Sequence, residues 1–359
     1  MRDFALSPEL EELQGAATRL ATEELAPRVR ESEAAGRWPD HVLDILDGFP
    51  LGDLDLSGDL GGAEAGLLAK VVMLEALAEA DASGLYAADR PGPAAGAVTM
   101  CPDRDLAMTV LEDCRSRAAT CAFTVVDPEL AWPELAWGPG WPDLKWIWVS
   151  EADQLRLLEV TDTPTDVVAL AFQASGGVGV PFGSTVERGS WTLAPHQAIE
   201  VRARARLWGA AIMVGIGQAA IDETIGYTTD RVVFGKPVAH HQANAFDLAA
   251  AAAGVHGARL VVRDAAASFD RGEPHAAFWA TQAWLESVDA AFDATNLGIQ
   301  LLGGHGFIVD HLAEKRFREA RHLAMAAGAR DAADADVAAQ VAEVDDLLGS
   351  LGSTSGGVR

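Results

Sequence analysis

Two stretches in the last third of the chain hold side chains whose types and spacing could do chemistry together. The first runs Tyr227-Thr228-Thr229-Asp230-Arg231-Val232-Val233-Phe234-Gly235-Lys236-Pro237-Val238 and is followed by His241-Gln242; the second is Gln300-Leu301-Leu302-Gly303-Gly304-His305-Gly306-Phe307. Arg231 offers a planar, permanently charged fork that suits a pyrophosphate, where a lysine would be a poorer substitute. Phe234 supplies a flat apolar face for a ring system, and Gly235 lets the backbone turn closely beneath it. Gly303 and Gly304 remove side chains where a backbone must approach phosphate oxygens. Taken singly, each has a plainer reading: Arg231 as a surface cation, Phe234 as core, the glycine pair as a helix C-cap. Their joint order favours a common ligand.

Other arrangements carry less. His240-His241 resembles a metal pair only superficially, because adjacent side chains diverge. No metal site is expected. Gly177-Val178-Gly179 is followed by Pro181 where a dinucleotide loop would open a helix, so it reads as an ordinary turn. Cys101, Cys114 and Cys121 cannot all pair and none stands in a CxxC spacing, which fits a reduced, cytoplasmic setting. With 53 acidic against 27 basic side chains the formal charge is −26, so nucleic-acid phosphates and anionic lipid would repel the chain. No window holds the roughly 18 uncharged apolar residues a membrane span needs, and Met1 to Leu6 leads into charges instead of the apolar core of a signal peptide.

The elements that must position these residues fall into three regimes over 359 residues, 49% of them hydrophobic and 22% charged, which is ample for a buried core. Residues 1–118 read as a helical domain: Ser7 caps a helix with Pro8 at its first position, and Leu67, Val71, Leu74 and Leu77 line a second helix after Gly61-Gly62. Residues 83–105 look like loop. Residues 119–200 read as a small β-domain, with strands at Trp146–Val149, Leu155–Val160 and Val167–Ala171, and prolines that argue against a helix among the tryptophans from Trp132 to Trp148. Residues 201–350 return to long amphipathic helices joined by short loops, an antiparallel bundle, and residues 351–359 read as a disordered tail. The fold class is α+β, mainly α.

These phrases, in this order, resemble the acyl-CoA dehydrogenase family. Tyr227 to Gln242 is similar to its Y-x3-R-x2-FGKP-x4-Q phrase, Gln300 to Phe307 to its Q-x2-GG-x-G[FY], and Glu314-Lys315-Arg316-Phe317-Arg318-Glu319-Ala320 to its EK-x2-R-[DE]-A. The order helical, β, helical is the family's domain order. The resemblance implies an N-terminal helical domain, a middle β-domain and a C-terminal four-helix bundle. It also implies FAD as cofactor, an acyl-CoA or acyl-carrier thioester as substrate, and a dimer or tetramer in which Arg231, Phe234, Gln242, Gln300, Gly303 and Gly304 reach the flavin of a neighbouring subunit. Trp148-Val149-Ser150 is similar to the phrase whose tryptophan packs on the flavin and whose hydroxyl bonds near N5. Trp146 rivals Trp148 for that role. Thr124 matches the start of the family's A-x-T-E-P, but Val125-Val126 replace Glu-Pro.

The sharpest departure concerns the base. Desaturation of an acyl thioester needs a carboxylate to take the α-proton while the flavin takes the β-hydride. At the family's two stations for that glutamate stand Ala327 and Ala205. Arg206 matches an arginine bordering the thioester end of the pocket in relatives, and reads equally as a solvated helix start. Three readings stay open: a subunit of a heteromer whose homologous partner supplies the base for desaturation; a protein of this fold recruited to a non-desaturating reaction such as a cyclisation or hydroxylation; or a structural subunit without cofactor.

Overall fold

A computed structural model describes residues 5–49, 51–126, 135–138, 143–161, 168–169, 172–173, 177–325 and 329–343. The first helix, α1 (Pro8–Leu20), begins where Ser7 Oγ accepts the Leu10 N–H at 3.3 Å with Pro8 at its first position. α2 (Val29–Ala35) stops on Gly36, whose φ of 68° is the left-handed turn that glycine tolerates. After α3 (Asp40–Asp47) comes α4 (Leu67–Ala80). Its expected apolar face is buried, and so is most of the remainder, because α1 packs on it and two bundle helices cover it as well. Lys70 and Glu75 are therefore buried charges on α4, and both are paired: Lys70 with Asp55 at 2.8 Å and Asp89 at 3.2 Å, Glu75 with Arg259 and Arg263.

Residues 83–105, expected as loop, are largely helical: α5 (Ala82–Ala88), a 3-10 turn at Gly92–Ala94, α6 (Ala95–Met100) and the start of α7 (Arg104–Arg115). Pro91, Gly92 and Pro93 lie at the joint between α5 and α6, while Gly84 and Gly96 sit within those helices. Asp81 starts α5 by accepting the Ser83 and Gly84 N–H groups, and Asp103 starts α7 through Leu106 N–H.

The middle region holds a four-stranded sheet in the order β1 (Thr120–Val126), β3 (Leu144–Glu151), β4 (Gln154–Val160) and β7 (Thr185–Thr192). β1 and β3 are parallel and the other pairs antiparallel. A second sheet orders β2 (Leu135–Gly138), β6 (Val178–Pro181) and β5 (Val168–Ala169). Val178 and Gly179 are thus paired strand residues, not the ordinary turn expected there, and no α-helix opens after them as a dinucleotide loop would need.

The C-terminal region is built on α8 (Pro195–Asp230), α9 (Gln242–Asp270), α10 (Ala276–Leu302) and α11 (Ala313–Leu323), which pack as a bundle, with α12 (Ala329–Glu343) lying on α10. The helix expected to begin near Arg206 begins at Pro195, about three turns earlier. A hairpin of β8 (Val232–Val233) and β9 (Lys236–Pro237) joins α8 to α9. Among the described residues α9 is long and apolar enough to cross a bilayer by length and composition, but it packs against α8 and α10 as a bundle helix. Residues 351–359, expected as a tail, lie outside the described residues.

Candidate functional site

Arg231 caps the C-terminus of α8, is exposed, and makes no ion pair among the described residues. Three residues on, Phe234 and Gly235 form the tip of the β8–β9 hairpin with φ of 53° and 82°. Two successive positive φ values suit a tight hairpin, yet a phenylalanine in the left-handed region costs roughly 1 kcal/mol. Phe234 is 95% exposed, its ring edge-on to His241, so the core reading of this residue is wrong. His241 itself is spoken for, its Nε2 lying 3.1 Å from the Val233 carbonyl. Gln242 opens α9 and is exposed, as is Gln300 near the end of α10.

Gly303 ends α10 with φ 58°, which accounts for a glycine there as a helix terminator. Gly304 has no such reason. A Cβ on Gly304, like one on Gly303 or Gly235, would meet nothing within 4 Å, whereas one on Gly306 would stand 2.7 Å from the Ile299 carbonyl oxygen. The chain's own packing therefore demands glycine at 306 but not at 304, which faces open space.

A contact that the sequence did not signal ties the two phrases together. Tyr227, one helical turn before Arg231, places its hydroxyl 3.0 Å from His305 Nδ1, beside the glycine pair, and His311 packs edge-on against the same ring. Glu223 holds this corner by pairing with Arg316 and by accepting the Leu312 N–H. Arg231, the Phe234 turn and Gly303-Gly304 thus belong to one end of the bundle, rimmed by the exposed Val232, Phe307 and Val309.

The middle region presents the opposite picture. Side chains alternate along β3, so Trp146, Trp148 and Ser150 share one face with Phe123 and Val125 of β1, while Thr124 pairs beside Val149 on the other face. Thr124 is not brought together with Trp148 and Ser150. Trp148 is fully buried, packed at 6.2 Å on Trp191 in a cluster with Phe123, Leu157, Val201 and Ala205. A ring with no exposed face leaves no room for another ring to stack on it. Its rival Trp146 is engaged differently, donating Nε1–H to Asp113 Oδ2 at 3.0 Å. The Trp148 indole N–H and the Thr124 hydroxyl are both buried without a hydrogen-bond partner. Each orphan costs roughly 1–3 kcal/mol, and the two lie on opposite faces of the sheet.

Of the two stations for a base, Ala327 lies outside the described residues, and Ala205 is buried in the Trp148 cluster. Arg206 is neither solvated nor at a helix start. It is 1% exposed in the interior of α8, its Nη1 2.6 Å from Asp336 of α12, and Arg202 holds the same carboxylate at 2.9 and 2.8 Å. Burial pushes the Arg206 pKa down, against the pull of Asp336. The Asp336 carboxyl is raised by burial but held below its usual range overall by Arg202 and Arg206. Nothing in the sequence signalled this pairing across 130 positions. Glu319 is also no free base: its Oε1 accepts from Ser83 Oγ at 2.5 Å and from Lys315, which also pairs with Asp81, and burial pushes its pKa up to about 7. The EK-x2-R-E phrase is a lock between α11, α5 and α2, with Arg318 reaching Glu33 at 2.6 Å.

Two family descriptions match the sequence, "Acyl-CoA dehydrogenase, N-terminal domain" over residues 7–92 and "Acyl-CoA dehydrogenase, C-terminal domain" over residues 196–342. The chain belongs to the acyl-CoA dehydrogenase family. Within that family it is 26% identical to the probable acyl-CoA dehydrogenase FadE25 of Mycobacterium tuberculosis, over 89% of this chain and 91% of that protein. The acyl-CoA dehydrogenase fold is shared with solved structures at lower identity. A chain of the ChsE4–ChsE5 complex from Mycobacterium tuberculosis superposes with a TM-score of 0.78 at 20% identity, covering 96% of this chain and all (100%) of that one. PigA with FAD and proline superposes with a TM-score of 0.77 at 16% identity, covering 95% and 99%.

Proposed function

We propose that this acyl-CoA dehydrogenase-family chain is one subunit of a flavin-dependent assembly acting on an acyl thioester, in which it completes a flavin site whose other wall belongs to a homologous, glutamate-bearing partner. The observation that carries this reading is an asymmetry. The bundle end holding Arg231, Phe234, Gln242, Gln300, Gly303 and Gly304 is exposed and open, whereas Trp148 and Ser150 of the chain's own middle region are closed over by its own side chains.

FAD would supply the hydride acceptor. Arg231 would grip its pyrophosphate through charge-assisted hydrogen bonds. Gly303 and Gly304, with nothing of this chain in the way, would let backbone come against phosphate oxygens, and Phe234 would lay its ring on an apolar part of the ligand. The Tyr227–His305 contact would fix the two phrases relative to each other. Proton removal from the thioester would fall to the partner's glutamate, since Ala205 offers no carboxylate and Asp336 is committed to two arginines. A heterotetramer satisfies both halves, and ChsE4–ChsE5 is a heteromeric complex of the same fold.

The orphaned Trp148 N–H favours a second reading, in which this middle region opens to hold its own flavin for chemistry other than desaturation. Native mass spectrometry with a flavin count separates the two. A heteromer with fewer flavins than chains supports the first; a complex of this chain alone carrying one FAD per chain eliminates it. Arg231→Ala should lower flavin occupancy at least tenfold in apparent affinity, as expected for a charge-assisted contact worth roughly 1.5–3 kcal/mol.

A further inference from the structure

A cavity of about 260 Å³ lies between α3, the segment after it, the α5–α6 joint and α7, and none of the residues assigned to flavin or thioester lines it. Phe49, Leu51, Ala88, Pro91 and Leu111 give it apolar walls, and Arg90 supplies a charge. Arg90 is only 8% exposed, and its Nε and Nη1 have no hydrogen-bond partner. The other cations at this place are paired: Arg115 with Asp53 at 2.8 Å and with the Leu60 carbonyl, Arg117 with Asp44 and Asp47. A buried guanidinium left without a partner is expensive, and the usual remedy is an anion.

The walls are held in place around this charge. The Arg90 carbonyl accepts the Cys121 N–H of β1 at 2.9 Å. Asp89 Oδ1 accepts the Gly92 N–H at 3.0 Å, while its Oδ2 accepts the Trp208 indole N–H at 2.7 Å. Gly52 must be glycine for its wall to approach, since a Cβ would stand 2.8 Å from the Pro91 ring. The loop that carries Arg90 is thus fixed on both sides before any ligand arrives.

We infer that this cavity binds a small organic monocarboxylate, its carboxylate on Arg90 and its apolar body against Phe49, Leu51 and Leu111. A single uncompensated positive charge calls for a single negative one. Asp47 and Asp53, also lining the cavity, disfavour a phosphate dianion, and the apolar walls disfavour a small inorganic ion. Burial also pushes the Arg90 pKa down, with Asp143 and Asp47 opposing at a distance, as expected of a charge still short of a contact partner.

Calorimetric titration of the purified full-length protein, with whatever flavin and partner it carries, uses benzoate and isobutyrate as probes and inorganic phosphate as the control. Saturable binding of a carboxylate at about 1 mM or tighter, with phosphate weaker, is the expected result. Arg90→Met should weaken carboxylate binding at least tenfold while leaving the ligand-free protein no less stable, because it removes an unpartnered charge. Leu111→Trp should abolish binding by filling the cavity without touching that charge. Absence of carboxylate binding, tighter binding of phosphate, unchanged affinity in either variant, or a ligand-free Arg90→Met protein that unfolds more readily would each overturn the inference. The last result would mean that Arg90 already has a partner within the protein.

Discussion

Asp336→Asn tests whether Arg206 belongs to the fold or to the thioester pocket. The Asp336 carboxylate receives Arg202 Nε and Nη2 and Arg206 Nη1, and its own side chain is only 16% exposed. Arg206 has just one other hydrogen bond, a long one of 3.4 Å to Thr281 Oγ1, with Nε and Nη2 unpartnered. An asparagine of equal size therefore strands a guanidinium that is 1% exposed, a loss of roughly 3–5 kcal/mol for a buried pair broken on one side. Arg202 moderates this because it keeps the Ala152 carbonyl at 2.9 Å. Urea unfolding should show a lower midpoint with little change in slope. In the Asp336→Asn background, a further Arg206→Met should recover part of the loss, since the stranded charge is gone, and the cycle should give a coupling of about 2 kcal/mol or more. If Asp336→Asn costs less than about 1 kcal/mol, Arg206 is satisfied elsewhere and the structural assignment fails.

Gly304→Leu should leave folding unchanged, because a side chain there meets nothing in this chain, yet it should reduce flavin content or assembly; retention of both in native mass spectrometry would leave the open cradle without purpose. Ala205→Glu should not restore a base: Ala205 is 2% exposed among apolar neighbours, so the new carboxylate should cost several kcal/mol or take a strongly raised pKa, and a soluble variant with brisk acyl-CoA-dependent dye reduction would refute this. His322 packs edge-on against Phe172, and burial pushes its pKa down to about 4. Its neutral form is favoured on folding, so stability present above pH ~6.5 should drain away by up to roughly 3 kcal/mol as pH falls towards ~4, and His322→Phe should flatten that stretch of the stability curve. If the wild-type and variant curves run parallel there, the histidine is not buried as described.

Local rules made part of this molecule readable in advance. Ser7 followed by Pro8 sets the first helix, short apolar runs of strand length and content set β3 and β4, and the last-third phrases point to one end of the bundle. What stayed hidden depends on partners distant in sequence. Residues 83–105 looked like loop because their glycines and prolines are visible, while the burial that makes their short helices pay is not. Thr124 and Trp148 looked like two parts of one wall, but register on the parallel β1–β3 pair puts them on opposite faces. Arg206 looked like a surface or pocket residue because its carboxylate arrives from α12. Arg90 and its cavity gave no signal at all, since an isolated arginine acquires meaning only from what fails to pair with it.

The Phe234 turn has a practical consequence for anyone producing the protein. An aromatic ring held at a positive φ and 95% exposed, near Val232, is an apolar corner that the partner in the assembly proposed above would cover. Expressed alone, the chain should be sticky and short-lived, its yield limited by self-association at that corner instead of by folding. If the proposed heteromer holds, co-translation with the homologous partner in matched dose raises the soluble yield of both, and a yield unchanged by co-expression speaks against it.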